Sequence, residues 1–218
     1  MSVLVCFALK EEAGPFRKIL GAHPGTAVII TGIGRENAGR SIQEFLQTGS
    51  PDWVLTCGFA GGLNPTLKIG DVVFATPDDS TILPERDAGL PGKLKGAGAI
   101  PAKFFCADRI ATTAGEKKRL RDETGADAVE MESDAIHEVC RTRRIPCTTL
   151  RVISDTAGEN LPLDFNALAK ADRSLDFGKL GWAVARSPGK IPSLLALQKK
   201  TRFAAEQLAM VLAKIIAP

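Results

Sequence analysis

No window of this 218-residue chain approaches 18 uninterrupted apolar residues, so no helix is expected to span a membrane. The opening segment MSVLVCFALKEE lacks a basic leader region and reaches Lys10 after a short apolar run, the pattern of a first strand rather than a signal peptide. Linkers and low-complexity tracts are also missing, which makes residues 1–218 one expected domain. Only two histidines occur, His23 and His137, and neither has ligand-like spacing to cysteine or carboxylate, so no metal site is expected. An excess of one charge is lacking as well: the formal net charge of +3 is too small to argue for a nucleic-acid partner. The five cysteines, at positions 6, 57, 106, 140 and 147, are odd in number and sit mostly in apolar runs, as reduced core residues of a cytosolic protein would.

Hydrophobic residues make up 44% and charged residues 24%, a globular balance. The organising stretch runs from Asp127 to Asp155. Asp127 to Met131 reads as a strand with Glu132 following its end, and Ala135, Ile136, Val139 and Cys140 then fall on one helical face. Arg141, Arg143 and Arg144 crowd the last turn of that helix and Pro146 stops it. Cys147 to Ile153 reads as a buried strand carrying Ser154 and Asp155 at its carboxyl end. Ligands of open α/β sheets bind outside the carboxyl ends of strands, so Glu132 and Asp155 are expected to share a pocket. A plain helix N-cap is the competing account of each carboxylate.

Ser2 to Leu9 reads as a central strand, and Glu12 just beyond it is a third carboxylate for the same rim or a first-turn helix acid. Ala27 to Thr31 is a second strand, followed by Gly32, Ile33, Gly34 and a helix containing Ala38, Ile42, Phe45 and Leu46. That glycine turn offers backbone amides to an anion, although Asn37 stands where a full GxGxxG would have its third glycine. Pro51 to Cys57 is the third strand, and Gly58, Phe59, Ala60, Gly61 and Gly62 are expected to leave it in a special backbone conformation or in close approach to something. Ile69 to Ala75 supplies a strand, residues 77–98 an irregular loop, Phe104 to Ala111 a strand and Ala114 to Glu123 a helix. Ser193 to Ile216 is a helical tail, expected to close an outer face of the sheet; its basic, leucine-rich character leaves peripheral membrane contact open. The expected class is α/β, with a central mixed, mostly parallel sheet between helices in three layers.

The segments ALKEEA, TGIGRENA, CGFAGGLNPTLKIGDVV, VEMES and RVISD, in this order, resemble the purine nucleoside phosphorylase and nucleosidase superfamily, in particular its 5′-methylthioadenosine/S-adenosylhomocysteine nucleosidase branch. ETGADAVEMES, RVISDTAGENLP and RSPGKIPSLLAL look most like the hopanoid-associated phosphorylases, with the tail from about residue 187 to 218 as a subgroup feature.

The resemblance implies a nucleoside phosphorylase-like fold and cleavage of an N-ribosidic bond to adenine. Asp155 would donate a proton to the base and Glu12 would activate water. Glu132 would bind the ribose hydroxyls with Met131 under the sugar, Ser154 would hold Asp155, and Glu130 would stand behind them. Phe59, Ala60, Gly61, Ile110 and Ala111 would line the base site, Ile110 taking the position of a stacking phenylalanine. The resemblance implies no cofactor, only water or phosphate as co-substrate, and a cytoplasmic homodimer. Phe59 replaces the serine usual in the nucleosidases, and Thr56 replaces the arginine with which phosphorylases hold phosphate, which favours water; Gly34 and Arg35 are the remaining anion candidates. The expected substrate is a 5′-substituted adenosine such as adenosylhopane. The alternatives are the soluble thioadenosines, phosphorolysis, or a binding protein that has lost the chemistry.

Overall fold

The computed structural model describes residues 2–75, 90–168 and 186–216. The first part of the expected irregular loop, residues 77–89, lies outside the described residues.

The strands are β1 (Val3–Phe7), β2 (Thr26–Ile30), β3 (Trp53–Gly62), β4 (Val72–Ala75), β5 (Ile100–Ala102), β6 (Phe104–Cys106), β7 (Ala128–Glu130) and β8 (Cys147–Asp155). The helices are α1 (Lys10–Leu20), α2 (Arg35–Phe45), α3 (Leu90–Ala97), α4 (Ala114–Thr124), α5 (Ser133–Thr142) and α6 (Ile191–Ile216). The sheet order is β2-β1-β3-β8-β4-β5, and β7 pairs with the far end of β3 and with β6. Most pairs are parallel; β4 with β8 and β3 with β7 are antiparallel.

Alternation along the strands builds the three layers. Val3, Val5 and Phe7 of β1 join Leu55, Leu150 and Val152 on one face, where α1, α3 and the second half of α6 (Ala204, Leu208, Leu212) cover them. Leu4 and Cys6 point the other way, joining Val54 beneath Ala38 and Ile42 of α2 and Ile136 and Cys140 of α5. The tail therefore closes the sheet only through its second half. Its first turns leave Ile191 and Leu195 42% and 54% exposed.

Three boundaries differ from expectation. β3 does not stop at Cys57 but continues through the glycines to Gly62, because β8 pairs with it as far as Ala60 and Gly61, and β7 takes over at Gly61 and Gly62. The stretch expected to be irregular contains α3, which buries Leu90, Leu94 and Ala97 despite Pro91 and Gly92. The strand expected from Phe104 to Ala111 ends at Cys106, where its partner β7 ends at Glu130.

Candidate active site

β1 delivers the chain to α1, and the first turn of that helix turns Glu12 inward. Glu12 Oε2 accepts the Leu9 N–H at 2.8 Å and Oε1 accepts the Phe59 N–H at 2.8 Å, fixing the carboxylate against β3. Burial pushes its pKa up to about 7, against the opposing pull of the Phe59 amide and Arg151. The approach is so close that a Cβ on Gly58, whose φ is +149°, would lie 2.7 Å from both Glu12 Oε1 and Arg151 Nη1. Glycine is the residue that this strand position admits.

Arg151 is a charged residue inside the buried strand β8, and it is 1% exposed. Its Nη2 donates to Glu130 Oε2 at 2.5 Å and to Thr56 Oγ1 at 3.2 Å, and lies 3.3 Å from Glu132 Oε2; Nη1 reaches Cys57 O at 3.4 Å. Its Nε–H has no partner among the described residues. One guanidinium thus faces three carboxylates, and they divide unequally. Burial pushes Glu130 up, but Arg151, the Ser133 hydroxyl and the amides of Glu132 and Ser133 outweigh it and hold Glu130 below the usual range. Glu132 is raised, by burial first and then by Glu130. Arg151 itself is held in its charged form: burial opposes this, but Glu130, Glu132 and Glu12 prevail.

Glu132 occupies the N-cap position of α5 without capping it. Its Oε1 instead accepts the Gly34 N–H at 2.9 Å, so the amide expected to face an anion is already engaged. Arg35 also turns elsewhere: it donates to Asp134 at 2.7 Å and to Cys106 O at 3.1 Å, and lies 3.5 Å from Asp108. Met131 is half-buried between Glu130 and Glu132.

At the end of β8, Asp155 Oδ1 accepts the Ser154 hydroxyl at 2.7 Å, and that hydroxyl lies 3.3 Å from Ala60 O. Asp155 Oδ2 is paired with Lys117 of α4. A Cβ on Gly61 would stand 3.4 Å from Asp155 Oδ2 and 3.2 Å from Val129. Phe59, Ala60 and Gly61, proposed from sequence as site residues, are therefore the β3 residues that Glu12, Ser154 and Asp155 touch. Asn166 accepts the Ile110 N–H and donates to its C=O, both at 2.9 Å. Ala111 is buried beside Leu63 and Val129. His137 bonds Thr149 at 2.8 Å, and burial lowers its pKa.

A cavity of about 440 Å³ opens at Asp155, between Leu161 and Pro162 on one side and Lys190, Leu197 and Lys200 on the other. A hollow of about 280 Å³ lies at the amino ends of β1 and β2, away from these carboxylates. No group of three or more His, Cys, Asp or Glu among the described residues is arranged to hold a metal ion, and no described helix is long and apolar enough to cross a membrane.

Sequence reasoning missed Arg151 and Lys117. An arginine inside TTLRVIS was a usable signal, since a charge in a buried strand demands partners. Lys117, in the polar run GEKKRLRDE, gave none.

Comparison with known proteins gives the family and the fold. The family model described as Phosphorylase superfamily matches residues 11–83 and 97–183. The 5′-methylthioadenosine/S-adenosylhomocysteine nucleosidase of Bacillus subtilis is 31% identical over 175 residues, covering 67% of this chain and 75% of that protein. The aminodeoxyfutalosine nucleosidase of Campylobacter jejuni is 29% identical over 158 residues, 62% of this chain and 69% of that one. Among solved structures, the Neisseria meningitidis 5′-methylthioadenosine/S-adenosylhomocysteine nucleosidase in complex with methylthio-immucillin-A superposes with a TM-score of 0.71 at 22% identity, over 99% of this chain and 98% of that one. The chain belongs to the phosphorylase superfamily.

Proposed function

We propose that this member of the superfamily breaks the N-ribosidic bond of an adenine nucleoside with water, releasing adenine, and that its substrate carries an apolar 5′ substituent of the adenosylhopane kind. The observation that carries the cleavage reading is the convergence of Glu12, Ser154 and Asp155 on residues 58–61 of β3, with Arg151 buried among Glu12, Glu130 and Glu132.

Breaking a glycosidic bond develops positive charge on the sugar and negative charge on the leaving base. Asp155 gives its proton to purine N7 as the C1′–N9 bond breaks. Glu12 accepts a proton from the attacking water, and its pKa of about 7 suits a general base working near neutrality. Each Glu12 oxygen uses one lone pair on a backbone amide and retains another for that water. Glu132 accepts the ribose hydroxyls, above Met131. Water is favoured over phosphate because the nearby donors are committed: both terminal nitrogens of Arg151, the Arg35 guanidinium and the Gly34 amide all have protein acceptors. A phosphate would also have to approach Glu12 and Glu132, two carboxylates whose neighbouring cation, Arg151, is already engaged by protein acceptors.

The 5′ substituent is argued from the cavity. Its two walls come from GENLP and PGKIPSLLAL, the segments in which the hopanoid-associated resemblance resides, and they contribute Leu161, Pro162, Ala196 and Leu197. Ile191 and Leu195 are exposed on the face of α6 turned away from the cavity-lining Ser193, Leu197 and Lys200, and we assign that face to the membrane surface from which such a substrate is taken up. The second reading is cleavage of soluble thioadenosines, favoured by the Bacillus subtilis relative. A homodimer, read by sedimentation velocity, completes the proposal.

The test is adenine release from adenosine, 5′-methylthioadenosine, S-adenosylhomocysteine and a detergent-solubilised adenosylhopane, each with and without phosphate. Phosphate-independent release, fastest from adenosylhopane, is expected. Preference for the thioadenosines establishes the second reading, and ribose 1-phosphate as product refutes water as the nucleophile.

A further inference from the structure

Lys117 is the one fully buried residue of α4, a helix otherwise made of half-buried and exposed positions. A helix that docks through an ammonium rather than an apolar side chain needs a specific counterpart, because an unpaired buried charge is costly. Lys117 Nζ has three oxygen partners: Asp155 Oδ2, Thr156 O at 2.8 Å and Glu159 O at 3.1 Å. An ammonium has three N–H donors, so its capacity is filled and no lone pair is required of it. Asp155 is engaged at both oxygens, with the Ser154 hydroxyl on Oδ1 and Lys117 on Oδ2.

We infer that Lys117 is a positioning residue for Asp155 and stores the proton that the pair delivers to the departing base. This rests on the reading of Asp155 as the proton donor. Ammonium with carboxylate and neutral amine with carboxylic acid contain the same protons. Transfer from Nζ to the carboxylate therefore loads the acid without taking a proton from solvent. As C1′–N9 breaks, N7 takes the proton and the electron pair of the broken bond stays with the base, leaving carboxylate and amine. The amine is reprotonated, through solvent, by the proton that Glu12 took from water. The ion pair carries on Nζ the proton that a lone carboxylate would have to take from solvent.

Among the described residues, the other charges facing the pair are already neutralised or stand across the cavity. Glu159 pairs with Lys200 of α6, Glu116 of α4 with Arg109, and Arg121 with Asp127. Lys190 borders the cavity, and Glu130, Glu132 and Glu12 are grouped about Arg151. The pair thus depends on its own two members.

The experiment compares pH profiles of kcat for adenine release in the wild type, Lys117→Met, Lys117→Ala and Asp155→Asn, with near-ultraviolet circular dichroism as the fold control. In the Lys117 variants kcat at pH 8 should fall at least about tenfold while KM changes less than about threefold. The alkaline limb should move toward acid by more than about one pH unit, because the variants lack the ammonium whose proton the pair supplies. Ethylammonium should partly rescue Lys117→Ala, and tetramethylammonium, which has no N–H, should not. A folded Lys117 variant with the wild-type profile overturns the inference. So does wild-type activity that declines on alkalinisation before pH 7, whether or not the variants fold. Retained release by folded Asp155→Asn would instead refute the proton-donor reading beneath it.

Discussion

Replacing Glu12 with glutamine removes one titrating group at the point where burial is most expensive. The carboxyl pKa rises from 4.5 to about 7 on folding, chiefly through desolvation. A raised carboxyl pKa means that the folded state binds the proton more tightly. The contribution is fully present below about pH 4.5 and is lost as pH rises through 7. Between pH 5 and pH 8 this group alone should cost the wild type about 2.5 kcal/mol, at about 1.36 kcal/mol for each pH unit over which the folded carboxyl keeps a proton that the unfolded one has lost. Glutamine does not titrate. It does set its amide against one of the two backbone N–H groups, from Leu9 or Phe59, at a pH-independent cost of about 1–3 kcal/mol. Urea unfolding should therefore find Glu12→Gln less stable than the wild type at pH 5. At pH 8 it should have gained about 2.5 kcal/mol relative to the wild type. The same variant should lose at least about a hundredfold in kcat at pH 8, since no base remains to accept the proton from water. Stability curves for the two proteins that run parallel from pH 5 to pH 8 would refute the assigned environment of Glu12.

Arg151→Met leaves Glu130 and Glu132 buried without their cation and should destabilise the protein by about 3–5 kcal/mol at pH 7, with a smaller loss at pH 5 where the carboxyls accept protons; urea titration at both values checks it. Gly58→Ala drives a methyl group to 2.7 Å from Glu12 and Arg151, so an unfolding loss of about 1–3 kcal/mol together with a reduced kcat is expected. An alanine with wild-type kinetics would show that this approach is not needed for catalysis. Leu197→Glu puts a charge into the apolar wall of the cavity and should raise KM for an apolar 5′-substituted adenosine at least about tenfold, more than for adenosine, by the free energy of burying a leucine-sized group. Equal effects on both substrates would remove that wall from the 5′ subsite.

The strand and helix periods were legible because this sheet is buried on both sides. VLVCF and CTTLRVISD stand out as apolar runs, and the helix beginning at Ser133 changes period abruptly. The glycines after Cys57 misled as to where β3 ends: a run that looks like a turn is here a strand stripped of Cβ atoms so that Glu12, Arg151 and Asp155 can lie against it. Glu12, Glu132 and Asp155 were legible from their positions past strand ends. The contacts that hold these side chains were not, because they cross long sequence separations. Arg151 reaches back to Thr56, and Lys117 reaches forward to Asp155 from a helix whose polar sequence looks solvent-facing. The partners of Arg35 were likewise not legible: it follows a glycine turn suited to an anion, and its guanidinium meets Asp134 and Asp108 from far along the chain.

The most direct test of the central claim is adenine release by purified wild type and Asp155→Asn, side by side in phosphate-free buffer, on the same four nucleosides. The account predicts free adenine and a reducing sugar from the wild type, and loss of release in a variant that remains folded. No release by the wild type from any of them, or equal release by the folded variant, would contradict it.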